Sequence, residues 1–371
     1  MAIYILYSAD YELYLGGNDC DESDVLIRPT DTLLDLFDTS DIPVTLFADT
    51  FSIECYRKHS LFSFPDAAEG QLKDAIRRGH DVQSHVHPHW RYTRIDGNRY
   101  TVNPNYYLLG KLADNNEELY PKILSYLLTS RMYLNDLLTQ VNKNYRCIAF
   151  RSGGYGLQPH ADVVIKALID SGFLMDSSIV PDLIANTNTI NEVDFSGVPK
   201  KANYYLDCDV DHASETNRGI FEIPIASCTF NILETALFQI EILSAFLRNT
   251  IHPEKSTVSR GYSIQATLNK PRYSKYYNFL NPFRDRFFYL DCSTNDNKMV
   301  RCTKKYLSRF DYRNNDVFFS CNMHPKGLSK EHFDALDRYH TNIKNYYKEI
   351  ITPISYQQAA EMVVKNPPEL P

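Results

Sequence analysis

Short apolar runs alternate along the chain with segments whose apolar residues recur at helical spacing. The runs predict strands at residues 3–8, 44–48, 81–84, 146–150, 221–225 and 317–322. The amphipathic segments predict helices at 28–38, 65–79, 117–141, 160–171, 232–247, 330–346 and 355–364. The first run is apolar throughout, which is typical of a strand covered on both faces in a parallel sheet.

Strands that alternate with helices favour a parallel α/β layout with right-handed crossovers. About seven such units can be counted, which predicts a (β/α) barrel, seven-stranded, distorted and incompletely closed, over an open doubly wound sheet. We expect one domain over residues 1–371, with insertions near 91–116, 180–219 and 248–315.

Composition and charge exclude several classes of protein. The net charge is −7 without a long basic run, which argues against nucleic acid as a partner. No stretch of ~18 apolar residues predicts a transmembrane segment. The apolar start lacks the basic flank and cleavage site of a signal peptide, and the eight cysteines show no CxxC pair. These features predict a cytoplasmic protein with reduced thiols and unknown oligomeric state.

Four histidines fall within ten residues around the predicted strand at 81–84, with His80 before it and the other three after it. His85 and His89 have the i, i+4 spacing at which two imidazoles can meet on one metal ion. His87 stands only two residues from His85 and does not match that pair, and His80 is interpreted as a helix-end residue. The spacing therefore favours His85 and His89 as metal ligands.

Other strand ends carry further polar residues that should meet at the same edge of the barrel. Asp10 and Glu12 follow the first strand, Arg151 precedes a glycine turn and Tyr155, and His324 follows the last clear strand. One carboxylate and two imidazoles form a three-ligand metal set that leaves room for water. With a separate base and acid, such a set suits amide or ester hydrolysis.

These segments resemble, in order, the motifs of the NodB-like polysaccharide deacetylases, carbohydrate esterase family four. The acidic first motif is similar to residues 8–12, Ser-Ala-Asp-Tyr-Glu, and the Gly-His-Glu-x-x-x-His-x-x-x-His motif to residues 79–89. The arginine motif is similar to residues 151–155, and the final His-Pro motif to residues 322–325. The resemblance spans roughly residues 3 to 340.

The resemblance implies a role for each matched residue. It implies Asp10 as general base, His324 as general acid, Arg151 as the holder of the base, the Tyr155 amide as an oxyanion donor, and Glu12, His85 and His89 as ligands of a divalent metal, with Zn²⁺ expected. The usual adjacent aspartates are replaced by Asp10-Tyr11-Glu12, so either Asp10 or Glu12 is the metal carboxylate. The third motif is one residue longer than Arg-Pro-Pro-Tyr, which leaves the oxyanion donor open.

The resemblance predicts a metal-dependent hydrolase that removes an N-acetyl or related acyl group from an amino sugar. The substrate is expected to be an intermediate of surface polysaccharide biosynthesis, nucleotide-linked or lipid-linked, and the basic, tyrosine-rich stretch at 272–286 would touch a membrane surface in the second case. Trp90, the only tryptophan, is interpreted as a sugar platform or as core packing. Two alternatives remain: hydrolysis of a non-sugar amide or formamide C–N bond, and a catalytically inactive glycan-binding protein.

Overall fold

The computed structural model describes residues 2–15, 17–18, 21–96, 99–186, 192–216, 218–238, 261–262 and 286–363. Most of the predicted helix at 232–247 and of the insertion at 248–315 lies outside these residues, as does nearly all of the stretch at 272–286. No helix within the described ranges is long and apolar enough to cross a membrane.

A nine-stranded sheet forms the centre of the structure. Its strands are β1 (Ile3–Tyr11), β2 (Val44–Asp49), β3 (Asp81–Val86), β4 (Ala149–Ser152), β5 (Met175–Asp176), β6 (Tyr204–Leu206), β7 (Ile220–Glu222), β8 (Val317–Met323) and β9 (Ile351–Pro353). The order is β6-β7-β5-β4-β3-β2-β1-β8, and β9 also pairs with β1. Every pairing is parallel except that of β6 with β7.

The barrel closes where β8 meets the segment that follows β7. Ala226 N donates to Ser320 O at 3.1 Å, and Ser320 N donates to Pro224 O at 2.9 Å. Single hydrogen bonds therefore replace a regular ladder where β8 closes against the chain after β7. The predicted seven-stranded barrel with incomplete closure is confirmed for β7, β5, β4, β3, β2, β1 and β8.

Helices cover the outside of the barrel. They are α1 (Arg28–Thr39), α2 (Thr50–Lys58), α3 (Ser63–Arg77), α4 (Asn116–Leu138), α5 (Ala161–Asp170), α6 (Asp296–Leu307), α7 (Lys330–Tyr347) and α8 (Tyr356–Val363). Sequence periodicity predicted six of these helices, α1, α3, α4, α5, α7 and α8. Each predicted boundary lies within three residues of the observed one. α2 and α6 were not predicted, because they lie in stretches with mixed polar and apolar spacing.

Short strand pairs lie outside the main sheet. They pair Arg94–Asp96 with Arg99–Thr101, Ile184–Asn186 with Glu192–Asp194, Ser227–Thr229 with Phe287–Tyr289, and Gly17–Asn18 with Gly261–Tyr262. The predicted insertions at 91–116 and 180–219 thus contain local hairpins. A single domain over the whole chain stays a prediction.

The barrel interior changes from apolar to polar along the strands. At its amino-terminal end Leu6, Phe47 and Phe318 pack with Tyr356 and Ala359 of α8, which closes this end of the barrel. Burial of such side chains stabilises the fold by about 1.5–3 kcal/mol each. Polar side chains replace them towards the carboxyl ends of the strands, which is where a site forms.

Candidate active site

Alternation along β1 and β8 delivers the polar residues of the site. Successive residues of a strand point to opposite faces, so every second residue points into the barrel. On β1 and the residue after it these are Leu6, Ser8, Asp10 and Glu12, and on β8 and the residue after it Phe318, Ser320, Asn322 and His324. The two series meet pair by pair, with Ser8 Oγ 2.9 Å from Ser320 Oγ and Asn322 Nδ2 3.3 Å from Asp10 Oδ2.

Arg151 lies at the centre of this polar interior and is fully buried. Its Nη1 donates to Asp10 Oδ1 and to Asn322 Oδ1, both at 2.7 Å. Its remaining donors reach Ser8 Oγ, Ser320 Oγ, Ser177 Oγ and Ser177 O at 2.8–3.1 Å. Burial alone would raise the pKa of Asp10, but the charge of Arg151 and the contact with His324 hold it well below its ordinary value. Asp10 is therefore ionised.

His324 connects Asp10 to a second carboxylate that the sequence did not indicate. Its Nε2 lies 3.2 Å from Asp10 Oδ2, and its Nδ1 lies 3.4 Å from Asp291 Oδ2. Burial opposes the charged imidazolium, yet Asp291 and Asp10 together raise the pKa of His324 to about 10. The side chain is 26% exposed, so this cationic acid borders solvent.

Glu12, His85 and His87 bring their donor atoms together on the other side of the site. Glu12 Oε2 lies 3.4 Å from His85 Nε2 and contacts His87 Nε2, and the two Nε2 atoms are 3.1 Å apart. His85 Nδ1 lies 2.8 Å from Arg151 O. Because a carbonyl oxygen only accepts, Nδ1 carries the hydrogen, and Nε2 is the ring nitrogen directed at Glu12 and His87.

This donor set fits a divalent metal ion. Two ligands that are each about 2.1 Å from a tetrahedral zinc ion lie roughly 3.4 Å apart. The separations of His85 Nε2 from Glu12 Oε2 and from His87 Nε2, 3.4 Å and 3.1 Å, are close to this value, whereas Glu12 Oε2 and His87 Nε2 are in closer contact. Glu12 Oε2 is buried and has no hydrogen-bond partner among the described residues. Single donor atoms of Glu12, His85 and His87 all lie within 4.8 Å of one another, as do those of Asp10, Glu12 and His324. The first set has the nitrogen and oxygen ligands that zinc takes in catalytic sites.

His87, and not His89, stands beside Glu12 and His85, which differs from the prediction based on spacing. The chain is still extended at His87, with φ −106° and ψ 99°, so residues two apart share one side. His89 lies in the 3₁₀ turn Pro88–Tyr92, and its ring stacks on Tyr107 at 5.7 Å. Burial keeps the pKa of His89 well below its ordinary value. The geometry thus does not support His89 as a ligand.

Gly153 explains how the His87 ring fits into the barrel. A Cβ atom on Gly153 would lie 2.5 Å from His87 Nδ1 and 2.7 Å from two carbons of the ring. Any larger residue would therefore displace the imidazole from the position in which its Nε2 contacts Glu12. The glycine turn after Arg151 thus allows close approach of a neighbouring histidine.

Tyr155 and Trp90 line the site in different ways. Tyr155 has φ +60°, and its hydroxyl accepts a hydrogen bond from Asn322 Nδ2 at 3.2 Å. The role of its amide as oxyanion donor stays a prediction. Trp90 is buried, with its ring 5.1 Å from that of His89 and 4.9 Å from that of Tyr100. This position matches core packing beside the site better than a solvent-facing sugar platform.

Asp49 and Lys326 also border the site, although the sequence singled out neither as functional. Asp49 ends β2, next to His85 in register, and both its carboxylate oxygens are buried without a hydrogen-bond partner among the described residues. Burial raises the pKa of Asp49 to about 7. Lys326 Nζ lies 2.6 Å from Glu12 Oε1. A preference for acids at strand ends could have indicated Asp49, whereas nothing local marks Lys326.

No protein-family model and no curated protein matches the chain. Among solved structures, it is similar to a Mycobacterium smegmatis protein assigned as a polysaccharide deacetylase, with 12% identity, 100% of this chain and 94% of that chain covered, and a TM-score of 0.46. A Pseudomonas aeruginosa PAO1 protein with the same assignment is 13% identical, with 99% of this chain and 93% of that chain covered and a TM-score of 0.46. PuuE allantoinase is 14% identical, with 99% of this chain and 92% of that chain covered and a TM-score of 0.47.

Proposed function

We propose that this protein is a divalent-metal-dependent hydrolase that removes an acetyl or related acyl group from the nitrogen of an amino sugar. One observation carries the proposal. An ionised carboxylate, Asp10, lies between Arg151 and the cationic acid His324, and the donor atoms of Glu12, His85 and His87 converge beside it. A base, an acid and a metal-ligand set in one buried pocket are the parts that amide hydrolysis needs.

The base side of the reaction depends on Asp10. A divalent cation held by Glu12, His85 and His87 would supply a bound water of lowered pKa. Asp10 is a weak base because its pKa is held low, so it can accept a proton only from water that is already acidified. Arg151 fixes Asp10 through Oδ1, so the proton would go to Oδ2, which also faces Asn322 Nδ2 and His324 Nε2. The water oxygen then forms its bond to the acyl carbon.

The acid side depends on His324, whose pKa of about 10 keeps it protonated at neutral pH. It would donate its proton to the amine nitrogen as the C–N bond breaks, so that a free amine leaves. The 3.2 Å contact between His324 Nε2 and Asp10 Oδ2 gives a route for the proton on Asp10 to return to the imidazole. The carboxylate and the amine are released as products, and the enzyme returns to its starting protonation state.

The substrate and the metal are finer parts of the same proposal. Zinc is favoured by the one-carboxylate, two-imidazole donor set. We infer an N-acetylated sugar, nucleotide-linked or lipid-linked, and a place in surface glycan synthesis in the cytoplasm, from the motif resemblance alone. The same residues could hydrolyse a non-sugar amide, because the site recognises a carbonyl and a leaving nitrogen. An inactive glycan-binding protein would need none of the proton-transfer contacts described above.

Acyl release by the purified protein tests the proposal. The apoprotein, prepared with a chelator, is supplied with Zn²⁺ and incubated with N-acetylglucosamine, its uridine-diphosphate form, chitin oligomers and simple amides. We expect acetate from at least one sugar, dependent on metal and lost in His85→Ala, with the exposed His212→Ala as matched control. Release from simple amides only would favour the non-sugar alternative, and no metal-dependent release from any of them would contradict the proposal.

A further inference from the structure

Lys326 places a positive charge directly on the carboxylate of the candidate metal site. It lies in the 3₁₀ turn Pro325–Gly327, just after His324, and its side chain is 12% exposed. Its Nζ donates to Glu12 Oε1 at 2.6 Å and to Leu13 O at 3.3 Å. The Tyr14 hydroxyl donates to Lys326 O at 2.6 Å, which fixes the backbone of the turn. Lys326 is therefore held in place by contacts at its side-chain ammonium group and at its backbone carbonyl.

The two oxygens of Glu12 face two different positions for a cation. Oε1 contacts Lys326, whereas Oε2 faces the Nε2 atoms of His85 and His87. A metal ion on Oε2 can thus bind without displacing Lys326 from Oε1. The metal and the ammonium group would then share one carboxylate inside a buried site, where like charges repel more strongly than in water.

Both carboxylates that the proposed reaction uses already have a cationic partner from the chain. Asp10 is paired with Arg151, and Glu12 is paired with Lys326. The charge of the ligand set is therefore balanced before any metal binds.

We propose that Lys326 weakens divalent-metal binding at this site, so that the protein holds its metal loosely and exchanges it with the surroundings. This inference rests on the proposed function, because it assumes the same Glu12, His85 and His87 donor set. Lys326 is a positioning residue: it orients Glu12 through Oε1 and opposes the metal through its charge. Removal of that charge should tighten metal binding, whereas a residue with a merely structural role would not tighten it.

Zinc affinity of the folded apoprotein tests this inference without any measurement of turnover. Wild type, Lys326→Met, Lys326→Gln and Lys326→Arg are compared by competition with a chromophoric chelator. The control is Lys330→Met, which removes the same charge from an exposed side chain four residues further on. We expect the two neutral variants to bind Zn²⁺ at least ~10-fold more tightly than wild type, because they remove the repulsion of a unit charge beside the metal in a buried site. Lys326→Arg and Lys330→Met should stay within ~3-fold of wild type.

Thermal unfolding gives a second readout. A ligand that binds only the folded state raises the unfolding temperature in proportion to the logarithm of its concentration over Kd. Added Zn²⁺ should therefore raise Tm more in Lys326→Met and Lys326→Gln than in wild type. Equal or weaker zinc binding by both neutral variants would overturn the inference and leave the proposed function intact. Absence of zinc binding in every variant would overturn both, because the shared donor set would then hold no metal.

Discussion

Arg151 Nη1 lies 2.7 Å from Asp10 Oδ1, and both side chains are buried at the centre of the barrel. The same guanidinium group also reaches Asn322 and three serines from three different strand segments. A single residue thus neutralises the candidate base and ties the barrel strands together around it. Its loss should affect both the stability of the fold and the chemistry of the site.

Arg151→Met should destabilise the protein strongly. It leaves Asp10 as an uncompensated buried charge, and breaking a buried pair in this way costs about 3–5 kcal/mol. Urea unfolding at pH 7 measures the change in the free energy of unfolding. The control is Arg28→Met, since Arg28 is 74% exposed and its surface pair with Asp24 should contribute no more than ~1 kcal/mol. Equal losses in the two variants would contradict the central position of Arg151.

Gly153→Ala should lower metal affinity through sterics alone. The added Cβ would meet the His87 ring at 2.5 Å, so the ring has to leave the position in which its Nε2 contacts Glu12. We expect at least ~10-fold weaker zinc binding, similar to the loss of a residue that orients a ligand. Gly70→Ala is the matched control, because a Cβ at this position in α3 meets nothing within 4 Å. That variant should bind zinc normally and gain about 0.5–1 kcal/mol of stability.

His87→Ala and His89→Ala test whether the metal ligand is His87, as the geometry indicates, or His89, as the motif spacing predicts. His87 contacts Glu12, so its removal should weaken zinc binding by ~100-fold or more. His89 contacts Tyr107 and Trp90, and its removal should change zinc affinity by less than ~10-fold. Chelator competition on the two purified variants measures both values. The reverse order would restore His85 and His89 as the ligand pair.

The barrel and most strand ends were predictable because strand and helix periodicities differ and parallel strands bring their carboxyl ends to one edge. Asp10, Glu12, Arg151 and His324 lie at those ends and meet as expected. His87 was missed because helical spacing was applied to a chain that is still extended there. Asp291 and Lys326 were missed because they become neighbours of the site only through tertiary packing, for which the local sequence carries no signal.

Asp291→Asn should shift the alkaline limit of activity to lower pH. The charges of Asp291 and Asp10 raise the pKa of His324 to about 10, against an ordinary value of ~6.5. A raised histidine pKa stabilises the fold fully below ~6.5, and this contribution is lost as the pH rises towards about 10. Without Asp291, the alkaline limb of kcat should move down by at least ~1 pH unit. An unchanged profile would contradict His324 as the acid.

The central claim is that Asp10 acts as the base and Glu12 as a metal ligand. It is tested most directly when acyl release and zinc content are measured in the same samples of Asp10→Asn and Glu12→Gln. We predict that Asp10→Asn keeps its zinc and loses about 10²–10⁴-fold in kcat, because it lacks the base. Glu12→Gln should lose zinc and, with it, activity. Turnover by Asp10→Asn at the wild-type rate, or loss of zinc from Asp10→Asn with zinc retained by Glu12→Gln, would contradict the account.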